Sequence, residues 1–316
     1  MPAEVGNGRG ARTRARYAYG VADTHGTDRL WADEPGAGWR RYLIADVFTG
    51  TPLEGNPLAV FPDGRGLGVD VMQRTARELN LSETVFFLPA EHPADVRVRI
   101  FTPADELTFA GHPVLGSAFV LAEALDTSAL TLETGAGLVP VELERNRGRI
   151  TFGRMEQPIP VPEPYEDTDA LLAALGVPRS GLPVEAYRNG PRHVYVELAS
   201  ETEVAGLWPD QRALAHLPVA VSTFAGQGPA WKTRMFAPFH GVPEDPATGS
   251  AAGPLAVHLA RHGRIGFGDE IEIRQGEEIG RPSRLYARAE GSPDKVERVL
   301  VGGSAVIVAR GEYRLS

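Results

Sequence analysis

The chain carries one device twice. The first copy reads Arg99-Ile100-Phe101-Thr102-Pro103, a short loop, then Gly111-His112-Pro113-Val114-Leu115-Gly116-Ser117-Ala118. The second reads Arg234-Met235-Phe236-Ala237-Pro238, a loop, then Asp245-Pro246-Ala247-Thr248-Gly249-Ser250-Ala251-Ala252. The span from Arg99 to Arg234 matches that from Gly116 to Gly249 to within two residues. Each copy reads as strand, loop and small-residue helix, so the chain should fold as two related lobes. Weaker echoes lie in the same order. Gly55-Asn56-Pro57-Leu58-Ala59-Val60 matches Asn189-Gly190-Pro191-Arg192-His193-Val194, and Ser82-Glu83-Thr84-Val85-Phe86 matches Val221-Ser222-Thr223-Phe224.

The two helices narrow the fold further. A surface helix has one apolar stripe and one polar face. Val114 to Ala122 has no polar face, and neither has Thr248 to Leu259. Such helices are buried all round, and their Gly and Ala residues let other backbones come close. A helix wrapped by a curled antiparallel sheet fits both facts; a sandwiched helix is the alternative. The first N–H groups of a buried helix lack intrahelical partners and carry partial positive charge. Gly111-His112-Pro113 and Pro246-Ala247-Thr248-Gly249-Ser250 therefore read as two halves of one anion site between the lobes.

Composition excludes several classes. A chain of 316 residues suits two lobes, and the net charge of −9 argues against general nucleic-acid binding. No apolar run is long enough to span a bilayer. The N-terminus has no apolar signal-peptide core, and Arg40-Arg41 leads into the strand-like Tyr42-Leu43-Ile44-Ala45-Asp46, so a cytoplasmic protein is expected. The chain has no cysteine. That removes disulfides, thiolate zinc sites and thiol acid/base chemistry.

Residues 1–41 read as a poorly packed extension, with Arg9, Arg12, Arg14 and Arg16 and little apolar periodicity; a basic arm is the alternative. The first lobe is expected over 42–155 and the second over 156–302. Between them, residues 153–167 hold Pro158, Pro160, Pro162 and Pro164 and read as a linker. The two small-residue helices are expected at Pro113 to Leu125 and at about Ala247 to His262.

Three polar residues stand out. Glu83 adjoins the apolar run Thr84 to Leu88; it is either a solvated strand-start carboxylate or a partly desolvated one with a raised pKa. Asp245 precedes Pro246 and suits a helix N-cap, which does not exclude acid/base work. His112 suits orienting or polarising a substrate, moving a proton, or holding a loop. His258 and His262 are four apart without an HExxH pattern, so no metal site is expected. No Walker A or dinucleotide fingerprint is present.

At these residues the sequence resembles the PhzF-like family of phenazine biosynthesis, within the diaminopimelate-epimerase-like fold. The carriers are Asp46-Val47-Phe48-Thr49, Gly55 to Val60, Asn80 to Phe86, Gly111-His112-Pro113, Glu244-Asp245-Pro246-Ala247-Thr248-Gly249-Ser250-Ala251 and Gln275-Gly276 with Gly280-Arg281-Pro282-Ser283. The resemblance covers about residues 42 to 316 and implies an α+β fold of two similar lobes. Each lobe would be a β-roll around a central apolar helix, related by a pseudo-two-fold, with the site in the cleft. It also implies a C-terminal strand, about 303–316, returning to the first lobe, and a homodimer.

The implied chemistry is that of an isomerase in specialised (antibiotic) metabolism, without cofactor or metal. It would move a proton and a double bond in a small cyclic carboxylate. The resemblance makes Glu83 the general acid/base, with Asp245 and His112 as its catalytic partners. Gly111, Gly249, Ser250 and Gln275 would hold substrate. Related epimerases use two cysteines, which this chain lacks. No nucleic acid or membrane partner is expected. The alternatives are a non-catalytic small-molecule-binding protein of the same fold, or a hydrolase using Ser250. The hydrolase reading lacks a G-x-S-x-G elbow.

Overall fold

Strand formation starts earlier than Tyr42. The computed structural model describes residues 38–315. Residues 1–37, most of the expected extension, and Ser316 lie outside the described part. Residues 39–41 already belong to a paired strand.

The first half lays down β1 (Trp39–Val47), β2 (Asn56–Phe61), α1 (Val69–Leu79), β3 (Glu83–Leu88), β4 (Val96–Phe101) and the short β5 (Glu106–Leu107). Then come α2 (Gly111–Leu125), β6 (Ala129–Thr134), β7 (Gly137–Asn146) and β8 (Arg149–Gln157). The first half ends on β9 (Val161–Pro164), and the second begins with α3 (Thr168–Leu175), β10 (Glu185–Arg188) and β11 (Arg192–Glu197). It continues with two short helices, α4 (Glu201–Ala205) and α5 (Gln211–Leu214), then β12 (Ala220–Gln227), β13 (Ala230–Ala237) and β14 (Val242–Asp245). It closes with α6 (Gly249–Arg261), β15 (Glu270–Gln275), β16 (Ser283–Ser292), β17 (Lys295–Gly303) and β18 (Ala305–Arg314). No helix among the described residues is long and apolar enough to cross a membrane.

The duplication is written in the strand pairing. From β1 the ladders run antiparallel to β2, parallel to β3, antiparallel to β4, parallel to β6, then antiparallel to β7 and β8. From β10 the same order recurs through β11, β12, β13, β15, β16 and β17. The short β5 and β14 fold back on β4 and β13. Each half also sends a strand across. β9 pairs with β10, and β18 pairs with β1 from Trp39↔Arg314 to Val47↔Ala305. β8 and β17, the last strands of the two repeats, pair with each other. The fold is α+β, two similar rolls sharing one sheet.

The proline-rich stretch is therefore not only a connector. Pro162 and Pro164 sit two apart in β9, opposite Tyr187 and Glu185. Alternate residues point their N–H groups to the same side. The two missing donors can then both fall on the outer edge, where proline is tolerated and blunts further pairing.

Each roll encloses one small-residue helix. Every residue from Gly111 to Ala122 in α2 and from Gly249 to Ala260 in α6 is buried. Their side chains join a core cluster that spans both lobes. α1 covers the outside of the first roll over Phe61, Phe86 and Phe101, where Phe61 and Phe86 stack with centroids 4.8 Å apart. α3, α4 and α5 cover a separate core on the second roll.

The helices start at Gly111 and Gly249, not at Pro113 and Ala247. This changes the register of the repeat. Gly249 opens its helix as Gly111 does, whereas Gly116 lies more than a turn inside α2, against Leu58 and Val47. The Gly-Ser match is thus a coincidence of small residues, and the matched helix starts are Gly111-His112 and Gly249-Ser250.

Candidate active site

The two helix starts touch. A Cβ on Gly111 would lie 2.4 Å from the carbonyl carbon of Gly249 and 2.5 Å from the nitrogen of Ser250. A Cβ on Gly249 would lie 2.8 Å from the Phe48 ring and 3.0 Å from the carbonyl carbon of Gly111. Only glycine permits this backbone approach. The unpaired N–H groups of both helices therefore open on one place. They belong to Gly111 and His112 on one side and to Gly249 and Ser250 on the other, since Pro113 has none.

The start of α6 is tied down by three side chains. Gln157 Nε2 donates to Gly249 O at 2.8 Å, Asn189 Nδ2 to Ser250 O at 2.9 Å and Tyr195 O–H to Ala251 O at 2.7 Å. The Asn189 bond has a covalent cause. Pro254 lies inside the helix and has no N–H for the Ser250 carbonyl. Arg281 fastens the lobes beside the site. Its guanidinium meets buried Asp46 at 2.7 Å and donates to Gly55 O at 2.9 Å and Glu54 O at 2.7 Å.

A cavity of about 460 Å³ opens over the helix starts, lined by Glu83, Gly111, His112, Asp245, Gly249 and Ser250 among others. These are six of the seven site residues read from the sequence. Gln275 is the exception and lies behind the wall. Its Nε2 donates to Asp245 O at 2.8 Å and Thr248 Oγ1 at 3.0 Å. Its Oε1 accepts from Thr233 Oγ1 at 3.2 Å and Thr248 N at 3.3 Å. Both ends of the amide are occupied by protein, so Gln275 holds the strand-to-helix turn instead of facing a ligand.

Asp245 does not cap a helix. Thr248 occupies the cap position and no side chain caps α6. The Asp245 carboxylate, nearly fully buried, accepts from Thr248 Oγ1 at 2.6 Å, Asn56 Nδ2 at 2.9 Å and Ser82 Oγ at 3.2 Å. Burial raises its pKa, and those three hydrogen bonds oppose the rise. Asn56 and Ser82 were not singled out as site residues in the sequence, although both fall in the resemblance motifs.

Glu83 heads β3 with its side chain 15% exposed. Burial holds its carboxyl well above the usual carboxylate range, and the charge of Asp245 adds to the rise. His112 Nε2 lies 3.1 Å from Glu83 Oε2, close but outside hydrogen-bond alignment. On the far side of the ring, Asn56 Nδ2 lies 3.2 Å from His112 Nδ1. The two Asn56 amide hydrogens go to Asp245 Oδ1 and Ala247 O, each at 2.9 Å, so this contact packs the ring in place without fixing its tautomer. Burial pushes the imidazole down to about 3, so it stays neutral at physiological pH.

Ser250 has a histidine partner that sequence reading missed. His193 Nε2 lies 3.0 Å from Ser250 Oγ. The pair does not make a hydrolytic triad. His193 Nδ1 has no hydrogen-bond partner among the described residues, and burial pushes the ring down to about 3. A serine nucleophile needs a basic imidazole oriented by a third group.

His258 and His262 gain a carboxylate, Glu185, that sequence spacing did not show. One oxygen of Glu185 lies 3.3 Å from His258 and 3.1 Å from His262, but also 2.9 Å from Arg261 and 2.8 Å from Tyr187 O–H. A guanidinium on that oxygen repels a cation. The cluster pins β10 to the end of α6.

Duplicated rolls with two buried carboxyls, one from each lobe, facing a pair of helix starts define a class: two-lobed proteins that move protons on small anionic molecules. The comparisons with known proteins narrow it. Residues 45–311 match the family described as phenazine biosynthesis-like protein, PhzC-PhzF. The trans-2,3-dihydro-3-hydroxyanthranilate isomerase of Pseudomonas aeruginosa is 53% identical over 276 residues, covering 87% of this chain and 99% of that protein. Its counterpart in Pseudomonas chlororaphis is 52% identical over 271 residues, covering 85% and 98%. A PhzF-family protein of Bacillus anthracis superposes with a TM-score of 0.75 at 26% identity, covering 87% of this chain and 99% of that one. The chain belongs to the phenazine biosynthesis-like PhzF family, and it is an isomerase.

Proposed function

We propose that this isomerase acts on trans-2,3-dihydro-3-hydroxyanthranilate or a close cyclic amino acid, with Glu83 moving a proton between ring carbons. The carrying observation is that Glu83 and Asp245 line the same cleft. Asp245 receives three hydrogen bonds, whereas Glu83 Oε2 receives none among the described residues. The pair therefore shares one proton, with the charge favoured on Asp245 and the proton on Glu83.

A carboxyl with a raised pKa both gives and takes a proton near neutral pH. As carboxylate, Glu83 removes a carbon-bound proton while the ring electrons shift. As acid, it delivers a proton, exchangeable with solvent, at another carbon. One C–H bond breaks, one forms, and the double bond moves. His112, neutral and 3.1 Å from the Glu83 oxygen, walls that carboxyl on the first-lobe side. The N–H groups of Gly111, His112, Gly249 and Ser250 hold the substrate carboxylate. Family resemblance further supports a homodimer in the cytoplasm.

Incubation with this substrate in D₂O, followed by NMR, should show a double-bond shift with deuterium entering a ring carbon. Glu83→Gln should retain substrate binding and lose turnover. Full turnover in that variant would sink the assignment.

A further inference from the structure

His193 sits on the cleft wall, from the second lobe, with no assigned task. It is buried, and among the described residues its ring makes one hydrogen-bond contact, with Ser250 Oγ. Ser250 Oγ in turn has no other hydrogen-bond partner among the described residues. The neutral ring has two tautomers. With the proton on Nδ1, a buried N–H would be left with no acceptor. With the proton on Nε2, the orphan is a lone pair, which is the less costly of the two. Nε2–H then donates to Ser250 Oγ, and the serine proton has nowhere to go but the cleft.

We propose that His193 is a positioning residue that turns the Ser250 hydroxyl into a hydrogen-bond donor for the substrate carboxylate. The second jaw then grips the carboxylate more firmly than the first, because the hydroxyl proton adds to the backbone N–H groups of Gly249 and Ser250. The first jaw has no counterpart. The strand position matching His193 holds Leu58, and the second residue of the first helix is His112, which faces Glu83.

The inference rests on the proposed carboxylate substrate, so its test uses two stable probes. Anthranilate carries a ring carboxylate; 2-aminobenzamide replaces it with an uncharged amide. Binding is titrated to the full-length protein and to His193→Leu, His193→Asn, His193→Gln, Ser250→Ala and the His193→Leu/Ser250→Ala pair.

His193→Leu should weaken anthranilate about tenfold, the scale of one hydrogen bond to a charged group. It should leave 2-aminobenzamide within about twofold. His193→Asn, too short to reach Ser250, should behave like Leu and serves in its place if the Leu variant fails to fold. His193→Gln, with an N–H at the reach of Nε2, should recover most of the loss. Ser250→Ala should weaken anthranilate alike, and adding His193→Leu to it should change nothing more. With the reacting substrate, KM should rise while kcat holds.

Equal loss for both probes, additive effects in the double variant, or failure of Gln to recover binding would each overturn the role of His193. A wild-type protein that does not bind anthranilate would overturn the carboxylate reading itself.

Discussion

The two lobes match strand for strand, yet only one of each matched pair of cleft positions carries an acid. With Arg99 matched to Arg234, the ladders pair Arg99 with Phe86 and Arg234 with Thr223. Counting back along β3 and β12 sets Glu83 against Ala220, which both line the cleft. The short strands do the reverse. Ile100 pairs with Leu107, and its match Met235 pairs with Asp245. One lobe thus supplies Glu83 and the other Asp245, each facing an apolar residue at the matching place. The duplicated backbone builds the paired helix starts, and the broken symmetry brings two unlike carboxyls into one cleft.

The sharpest way to break this comparison is to remove one acid. Glu83→Gln should lower kcat by about a hundredfold to ten-thousandfold, the range for loss of a general acid/base. Moving the carboxyl across, as Glu83→Ala with Ala220→Glu, should not restore it, because His112 stays in the first lobe. Substrate turnover by NMR checks both.

The duplicated Arg–Glu pairs give the next largest contrast. Arg99 grips Glu106 with two hydrogen bonds of 2.7 and 2.6 Å on a partly exposed edge. Arg234 grips Glu244 with two of 2.8 Å while buried, and also donates to the carbonyls of Ala205 and Leu207. Arg234→Ala should cost about 3–5 kcal/mol by stranding a buried charge. Arg99→Ala should cost less than about 1 kcal/mol. Equal losses in urea denaturation would show that the two pairs sit in like environments.

Two glycines of α2 test whether the helix starts truly abut. Gly111→Ala must displace the Gly249 backbone and should cost roughly 3 kcal/mol and most of the activity. At Gly116 the obstacles are the Leu58 and Val47 side chains, which can shift, so Gly116→Ala should cost roughly 1 kcal/mol and spare turnover.

The smallest effect is in the pH dependence of stability. Glu83 has a raised folded pKa, so its contribution is present below the ordinary value of 4.5 and is lost as pH rises through the raised value. Glu83→Gln should therefore raise Tm by a few degrees at pH 8 and less at pH 5. His112 and His193 act oppositely. Their pKa values fall from 6.5 to about 3, so their contribution is lost as pH drops through that window. A Tm that did not respond to Glu83→Gln at high pH would show that the carboxyl is not desolvated.

Much of the site was legible because it lies in local strings. The glycines, His112 and the Asp245-to-Ser250 run mark helix starts, and apolarity on every face marks burial. What escaped are contacts across long stretches of chain. Asn56 meets Asp245 across 189 residues, and His193 meets Ser250 across 57. Register also escaped. The sequence echo aligned Val60 with Val194, but the ladders match it to Tyr195. A slip of one residue in a strand swaps the two faces, so His193 could not be placed in the cleft from the string alone. Gln275 differs from the other six site residues. Its motif marked it as important, but only packing shows that both ends of its amide are already used.

By itself the sequence determined two lobes, two buried helices, and a cleft chemistry of carboxylate, imidazole and hydroxyl, because periodicity and composition are local properties of the chain. The tertiary structure alone decided which carboxyls line one cleft, which histidine lies beside Glu83, and which glycines are indispensable. Those depend on distances of about 3 Å between residues far apart in sequence, and desolvation and close backbone approach exist only once the two rolls have closed on each other.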